Sequence, residues 1–266
     1  MNKTTIGIYM PARNVAKYID EAIRSIIAQD MEDWSLVVLD DASDDDTFEV
    51  AQKVIDGRCF LARNGDHSGF IGKLKNQAIN LLVEEPEFIC HVGADDTIPP
   101  DCLSSYVAFM RANPDLAAAC GTFNCFSDTG IKDWNSWMLP HVSATKGFDR
   151  SILLRYMNFF PHRFYRYEAI KAVGGYSNEL SSAVDYDLAL KLDEKFKLGR
   201  LEGKITYHYR QHPTQVSTAA RPEQNLNAKK ALQAALDRRN LGQEVVNNAP
   251  PFQLRERDGH FIWGKK

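Results

Sequence analysis

The amino-acid sequence predicts an α/β fold in which a parallel sheet carries helices on both faces. Between residues 5 and 96, short apolar runs typical of buried strands alternate with segments of helical periodicity. Two of the predicted strands end directly in paired carboxylates, Asp40-Asp41 and Asp95-Asp96. Ligands of such sheets bind at the carboxyl ends of the strands, so both pairs are candidate binding positions.

The first half of the chain supplies this alternation in order. Residues 5–10 form a short apolar run that ends at Pro11, which suits a buried strand. Residues 15–29 place apolar side chains at the spacing of one helix face. Further strands are predicted at residues 34–39, 59–62 and 88–92, and further helices at residues 47–55 and 72–83.

The second half of the chain is less regular. Strands are predicted at residues 116–123, 162–165 and 205–209, and helices at residues 168–173, 186–196 and 224–239. Residues 247–266 are polar and contain proline, and we expect an extended tail that contacts the body through Phe252, Phe261 and Trp263. The chain thus divides into one domain over residues 1–220 and a C-terminal helix and tail over residues 221–266.

Composition limits the classes of protein to be considered. The 266 residues are 44% hydrophobic and 25% charged, which excludes a disordered or fibrous chain. The net charge is −3, so binding of nucleic acid through phosphate neutralisation is not expected. The five cysteines have irregular spacing without a CxxC pair, which predicts buried free thiols in a reducing cytosol. No apolar run approaches the length of a membrane span, so we expect a cytoplasmic protein with at most peripheral contact at the inner membrane face.

The two carboxylate pairs have different candidate ligands. Asp95-Asp96 can share a hard cation and the hydroxyls of a ribose, although the same residues also suit a solvated turn. Asp40-Asp41 can accept the N–H of a pyrimidine base or bind a ribose hydroxyl. The carboxylates at positions 44, 45 and 46 precede the helix that begins near Thr47, and any of them can cap it.

Seven short motifs in a fixed order resemble those of the family 2 glycosyltransferases. They are PARN at residues 11–14, DDAS at 40–43, the segment from Gly69 to Asn76, ADD at 94–96, VGGY at 173–176, VDYDL at 184–188 and YRQHP at 209–213. The resemblance extends from about residue 5 to residue 217. No single motif is specific, but their order and spacing agree with one topology. The resemblance implies the GT-A fold, a Rossmann-like mixed sheet flanked by helices, with a nucleotide-binding half over about residues 1–100 and an acceptor-binding half over about residues 101–220.

The resemblance also implies where the nucleotide lies. The segment with Pro11, Arg13 and Asn14 would lie against the base, and Asp41 would bind a uracil ring. Arg13 would contact the base or a phosphate, or be an ordinary surface arginine. Lys75 stands where the family usually has arginine and would face the nucleotide or its diphosphate, although lysine lacks the bidentate fork of arginine.

A divalent cation, Mn²⁺ or Mg²⁺, is implied at the Asp95-Asp96 motif. Asp96 would coordinate the cation and Asp95 would bind the ribose. His212 would complete the metal shell or contact the diphosphate, and Arg210 would hold a phosphate by paired hydrogen bonds. The cation would neutralise the charge that develops on the leaving nucleoside diphosphate.

Asp185 matches the carboxylate that serves as general base in inverting members of the family. It would take the proton of the acceptor hydroxyl. Val184 replaces the acidic first residue of the usual pair, so Asp187 remains a rival base, and either aspartate can instead cap the helix that follows.

The function implied is transfer of a hexose or N-acetylhexosamine from a nucleoside diphosphate sugar, in the first place a UDP-sugar, to a glycan or glycolipid hydroxyl. Because the chain lacks a QxxRW segment, we expect either the transfer of a single sugar or a module of a larger pathway. Aromatic residues between positions 134 and 164 could stack on sugars or belong to the core: Trp134, Trp137, Phe159 and Phe160. A catalytically degenerate binding module stays open because of Val184. A nucleotidyltransferase is disfavoured because the first loop contains no glycine, and an oxidoreductase because no GxGxxG follows a strand.

Overall fold

The computed structural model describes residues 4–82, 84–127, 153–154, 162–212, 215, 221–242, 252–257 and 260–265. Side chains are described in all these ranges except at residues 221 and 222 and from residue 252 onward. The predicted aromatic acceptor platform, including Trp134, Trp137, Phe159 and Phe160, lies outside the described residues.

The strands and helices follow the predicted alternation. The strands are β1 (Ile6–Ala12), β2 (Trp34–Asp40), β3 (Cys59–Arg63), β4 (Phe88–His91), β5 (Leu116–Phe126), β6 (Arg163–Arg166), β7 (Lys197–Arg210), β8 (Phe252–Arg257) and β9 (His260–Lys265). The helices are α1 (Ile19–Ile27), α2 (Thr47–Val54), α3 (Ile71–Asn80), α4 (Cys102–Ala112), α5 (Tyr167–Ala172), α6 (Val184–Lys195) and α7 (Arg221–Arg238).

Seven of the strands form one mixed sheet in the order β3-β2-β1-β4-β6-β5-β7. The first four strands in this order are parallel, as the sequence predicts. Strand β6 runs antiparallel to both β4 and β5, whereas β5 and β7 are parallel to each other. The carboxyl ends of β1, β2 and β4 therefore meet at one edge of the sheet, and the loops that follow them carry the candidate nucleotide-binding residues.

Apolar layers cover both faces of the sheet. Alternation along β1 directs Ile8 and Met10 into the layer with α1, and Tyr9 into the layer with α3 and α6. The central strands are apolar on both faces because helices pack on both, as expected for the parallel part of an α/β sheet. Cys90, Cys102, Cys120 and Cys125 are buried in these layers, Cys59 is partly buried, and all five thiols are free, as the sequence predicts.

Three features differ from the sequence-based prediction. Helix α4 is not predicted, although Leu103, Tyr106 and Met110 bury one face of it; the preceding Pro99-Pro100 suggested a loop instead. Strand β7 begins eight residues earlier than predicted, at Lys197. The C-terminal tail contains a two-stranded antiparallel sheet of β8 and β9. The predicted contact of the tail with the body concerns Phe252, Phe261 and Trp263. Their side chains lie outside the described part of the chain, so this contact stays a prediction.

Among the residues that the structure describes, no helix combines the length and the apolar character needed to cross a membrane.

Candidate active site

The loop after β2 is held in place by Asp40. The Asp40 side chain is fully buried, accepts a hydrogen bond from the Ser43 hydroxyl, and lies 2.9 Å from Nε of Arg63. The Ser43 backbone N–H also donates to it at 3.3 Å. These contacts satisfy Asp40 within the chain and give it a structural role.

Asp41 faces the loop after β3. Its carboxylate accepts hydrogen bonds from Asn64 Nδ2 at 2.8 Å, from the Ser68 N–H at 3.1 Å and from the Ser68 hydroxyl at 2.9 Å. Nδ1 of His67 lies 2.7 Å from Oδ2 of the same carboxylate. Asp41 therefore joins two loops at the predicted base-binding position. Sequence reasoning missed Asn64, His67 and Ser68, because nothing in the sequence of a polar loop indicates which distant residue it will contact.

The loop after β1 packs on the loop after β2. Asn14 has a left-handed backbone, with φ of 52°, and its N–H donates to Ser43 Oγ at 3.0 Å. Arg13 is partly exposed and lies 3.5 Å from Asp44. Of the three candidate caps for α2, the Asp45 side chain accepts the Thr47 N–H, at 3.0 Å. Pro11 lies within β1, opposite Leu39 of β2.

Asp95 and Asp96 occupy different environments. Asp96 is buried and accepts hydrogen bonds from the Tyr207 hydroxyl and from the Arg210 N–H, each at 2.7 Å. Burial and the neighbouring Asp95 raise the pKa of Asp96 well above its usual range. Asp95 is partly exposed, with 28% of its side chain accessible, and its Oδ2 lies 3.0 Å from Nε2 of His212. Asp95 is therefore the accessible member of the pair, with the largely covered His212 beside it, while Asp96 is held in the interior by Tyr207 and Arg210.

Arg210 links this motif to α1. Its Nε donates to the Asp95 carbonyl oxygen at 2.8 Å, and its Nη2 pairs with Glu21. The guanidinium lies between the rings of Tyr18 and Phe126, 4.9 and 4.3 Å from their centroids. The Tyr18 ring also lies 4.7 Å from the His212 ring. Sequence reasoning identified Arg210 and His212 but not Tyr18 or Glu21.

Asp185 is the second residue of α6, and the helix begins directly after Ala183, which has a left-handed backbone with φ of 56°. Lys75 Nζ lies 2.9 Å from Oδ1 and 3.1 Å from Oδ2 of this carboxylate. Arg163 Nη1 lies 3.1 Å from Oδ1. These two cations hold the pKa of Asp185 well below its usual range, against the opposing effect of burial.

Asp187 belongs to a different environment. It is buried and forms an ion pair with Lys191 on its own helix, at 2.7 Å. Two residues along a helix correspond to about 200° of rotation, so Asp187 and Asp185 point to different sides of α6. Two further histidines lie near this site: His162 is buried against Tyr106 and Tyr207, and His208 pairs with Asn124.

The structure brings most of the predicted residues to one edge of the sheet. His91 links the two groups of candidate residues, because it ends β4 four residues before Asp95 and lies close enough to Asp185 for each group to perturb the pKa of the other. Within the described ranges no three metal-binding side chains form a cluster. Asp95 and His212 supply one carboxylate oxygen and one imidazole nitrogen, which suits Mn²⁺ or Mg²⁺ if the diphosphate and water provide the other ligands.

The fold defines the class of protein. Residues 1–349 of TarS from S. aureus, solved in complex with UDP-GlcNAc, match with a TM-score of 0.73 at 20% identity, over 92% of this chain and 71% of that chain. A mannosyltransferase from Pyrobaculum calidifontis, solved with GDP-Man and Mn²⁺, matches with a TM-score of 0.59 at 16% identity, over 90% of this chain and 76% of that chain. The chain has the GT-A fold of glycosyltransferases, as expected from its motifs.

The sequence defines the family. The glycosyl transferase family 2 model matches residues 7–174, and this chain belongs to that family. Chondroitin synthase from Escherichia coli is 27% identical over 94% of this chain and 35% of its own length. Hyaluronan synthase from Pasteurella multocida is 27% identical over 76% of this chain and 20% of its own length. This chain thus spans about a third or less of these curated relatives.

Proposed function

We propose that this chain transfers a sugar from a nucleoside diphosphate sugar to a hydroxyl group of a glycan or glycolipid, with inversion at the anomeric carbon. The observation that carries the proposal is a pair of accessible carboxylates with different partners. Asp95 lies beside His212 after β4, and Asp185, at the start of α6, lies beside Lys75 and Arg163.

A UDP-sugar is the donor that we propose. TarS was solved with UDP-GlcNAc, and the chondroitin and hyaluronan synthases are the relatives in sequence, which supports a hexose or N-acetylhexosamine on UDP. Asp41, with the loop of Asn64 and Ser68, would receive the base at the end of β2. The base would then exchange hydrogen bonds with a preformed polar loop rather than with open solvent.

The cation site that we propose uses Asp95 and His212, and Asp96 is not a ligand. Both oxygens of Asp96 already accept hydrogen bonds in the buried interior, and burial favours its neutral form. Asp95 is accessible and lies beside an imidazole nitrogen. Mn²⁺ or Mg²⁺ bound there would supply Lewis-acid stabilisation of the leaving diphosphate. Arg210 keeps this loop in position through the Asp95 carbonyl.

Asp185 is the general base in this proposal. Its pKa is lowered, so the carboxylate is ionised throughout the neutral range and can accept a hydrogen bond from the acceptor hydroxyl, although the same two cations make it a weaker base. The acceptor oxygen forms the new bond to the anomeric carbon while the bond from that carbon to the diphosphate oxygen breaks. The hydroxyl proton passes to Asp185, and the bonding electrons leave with the diphosphate. Asp187 is the weaker candidate for the base because it is buried and already paired with Lys191.

Calorimetry and turnover together test the proposal. We expect UDP, compared with GDP, CDP and dTDP, to bind tightly only with Mn²⁺ present, and Asp95→Asn to weaken that metal dependence. Asp185→Asn should keep UDP binding and lose UDP release in the presence of acceptor, whereas Asp187→Asn is the matched control that keeps turnover. Normal turnover of Asp185→Asn would refute the assignment of the base. Binding without turnover in the wild-type chain would instead indicate a binding module.

A further inference from the structure

The two cations around Asp185 contact it in different ways. Lys75 reaches both carboxylate oxygens, at 2.9 and 3.1 Å, and therefore does not distinguish one oxygen from the other. Arg163 places Nη1 3.1 Å from Oδ1. Lys75 comes from α3 and Arg163 from β6, so two separate elements of the fold hold the Asp185 carboxylate.

Exposure separates the carboxylate from the cations behind it. The Asp185 side chain is 29% accessible, whereas Lys75 is 4% and Arg163 is 8% accessible. The carboxylate is therefore accessible, and Arg163, at the start of β6, is covered. Because Arg163 is almost fully covered, any effect that it has on an acceptor hydroxyl must pass through Asp185.

We propose that Arg163 is a positioning residue that fixes the rotation of the Asp185 carboxylate. The inference rests on the proposed function, in which Asp185 is the general base. Proton transfer needs the accepting oxygen within hydrogen-bond reach and correctly oriented. A carboxylate held by Lys75 alone could rotate about its Cβ–Cγ bond, whereas a second ion pair from Arg163, on a different element, fixes that rotation.

The other polar groups around Asp185 cannot take over this task. His91 of β4 is a neutral imidazole, since burial and the nearby Lys75 charge lower its pKa well below the usual value. Tyr9 of β1 directs its hydroxyl to that of Tyr176, at 2.6 Å. Tyr165 of β6 is buried on the same strand as Arg163. In these surroundings Lys75 and Arg163 are the cations that face the carboxylate.

Substitution of Arg163 tests the inference, with Arg166 as the matched control. Arg166 lies on the same strand, and its guanidinium donates to the carbonyl oxygens of Leu116 and Met110, away from Asp185. We expect Arg163→Met to lower kcat about 100-fold while the Kd for UDP changes less than about threefold. Arg163→Lys restores the charge without the guanidinium geometry and should recover part of kcat. Arg166→Met should lower thermal stability and leave kcat and its pH dependence unchanged.

The pH profile gives a readout that a merely structural role would not alter. Loss of Arg163 removes a cation that favours the ionised carboxylate, so the pKa of Asp185 should rise. The ratio of kcat at pH 5 to kcat at pH 8 should therefore be lower in Arg163→Met than in the wild type. In the Asp185→Asn background, Arg163→Met should have no further effect on the residual rate.

The outcomes separate this inference from the proposed function. Full turnover of Asp185→Asn would refute the general base, and with it the inference. Loss of turnover in Asp185→Asn together with wild-type kcat and pH profile in Arg163→Met would refute the role of Arg163 alone. Equal losses of UDP binding, stability and kcat in Arg163→Met, with no recovery in Arg163→Lys, would also overturn it.

Discussion

His162 should make the free energy of unfolding strongly dependent on pH. The side chain is 1% exposed, its ring stacks on Tyr207 at 4.9 Å, and its Nε2 has no hydrogen-bond partner among the described residues. Burial lowers the pKa of His162 to about 3. The unfolded chain has an ordinary histidine at this position, with a pKa of about 6.5. Between these two pKa values His162 is protonated in the unfolded state and neutral in the folded state.

The sign and magnitude follow from proton linkage. Because the unfolded state binds more protons below pH 6.5, this contribution to stability is complete above pH 6.5 and is lost as the pH falls. Each pH unit well below 6.5 corresponds to about 1.4 kcal/mol, and the unfolded histidine is half protonated at pH 6.5, so the decrease from pH 6.5 to pH 4.5 amounts to about 2.3 kcal/mol. His162→Phe keeps an aromatic ring in the same space and removes the titration. The variant should therefore lose about 2.3 kcal/mol less than the wild type over this interval.

Urea denaturation at a series of pH values measures this difference. The free energies of unfolding of wild type and His162→Phe should diverge steadily below pH 6.5. Tyr106→Phe is the control, because Tyr106 donates to the His162 carbonyl at 3.1 Å but does not titrate in this range. Its curve should run parallel to that of the wild type. Parallel curves for wild type and His162→Phe would refute the argument, because His162 would then be charged or accessible in the folded protein.

Three further predictions concern the scaffold of the site. Gly72→Ala should lower the free energy of unfolding by about 2 kcal/mol in urea, because a Cβ there would overlap the carbonyl oxygen of Ser177; an unchanged midpoint would contradict this. Asp40→Ala should cost about 2 kcal/mol in the same assay, since it leaves Arg63 without its buried partner. Burial raises the pKa of Cys59 to about 11, so iodoacetamide at pH 8 should label this thiol slowly. The four buried thiols should react only after unfolding, and rapid labelling of the native chain would refute this.

Local patterns in the sequence are enough to predict the parallel half of the sheet and the position of its polar strand ends. The alternation of strands and helices, and the carboxylates after β2 and β4, follow from periodicity and from the geometry of parallel sheets. The antiparallel direction of β6 could not be predicted in this way. Its neighbours β4 and β5 lie far from it in the chain, and the strand contains only four residues.

Long-range partners limit what the sequence can say about the site. Asp95 and Asp96 are adjacent and chemically identical, and the family pattern implies the cation at Asp96. In the structure Tyr207 and Arg210, more than 100 residues further on, cover Asp96 and leave Asp95 accessible. The expected contact of Lys75 with the nucleotide remains a prediction, and the contact described is with Asp185. Arg163 was missed because it lies outside every recognised motif.

The environments of two carboxylates argue for their division of labour. Burial and the Asp95 charge push the pKa of Asp96 upward, whereas Lys75 and Arg163 push that of Asp185 downward. A carboxyl group that favours its neutral form can hold a loop by hydrogen bonds, but it is a poor partner for a proton or a cation. A carboxylate kept ionised at the cleft is available as a base at any neutral pH. Oppositely shifted pKa values in one site are a means of assigning acid and base roles, and here they support the proposed base at Asp185 and the proposed structural role of Asp96.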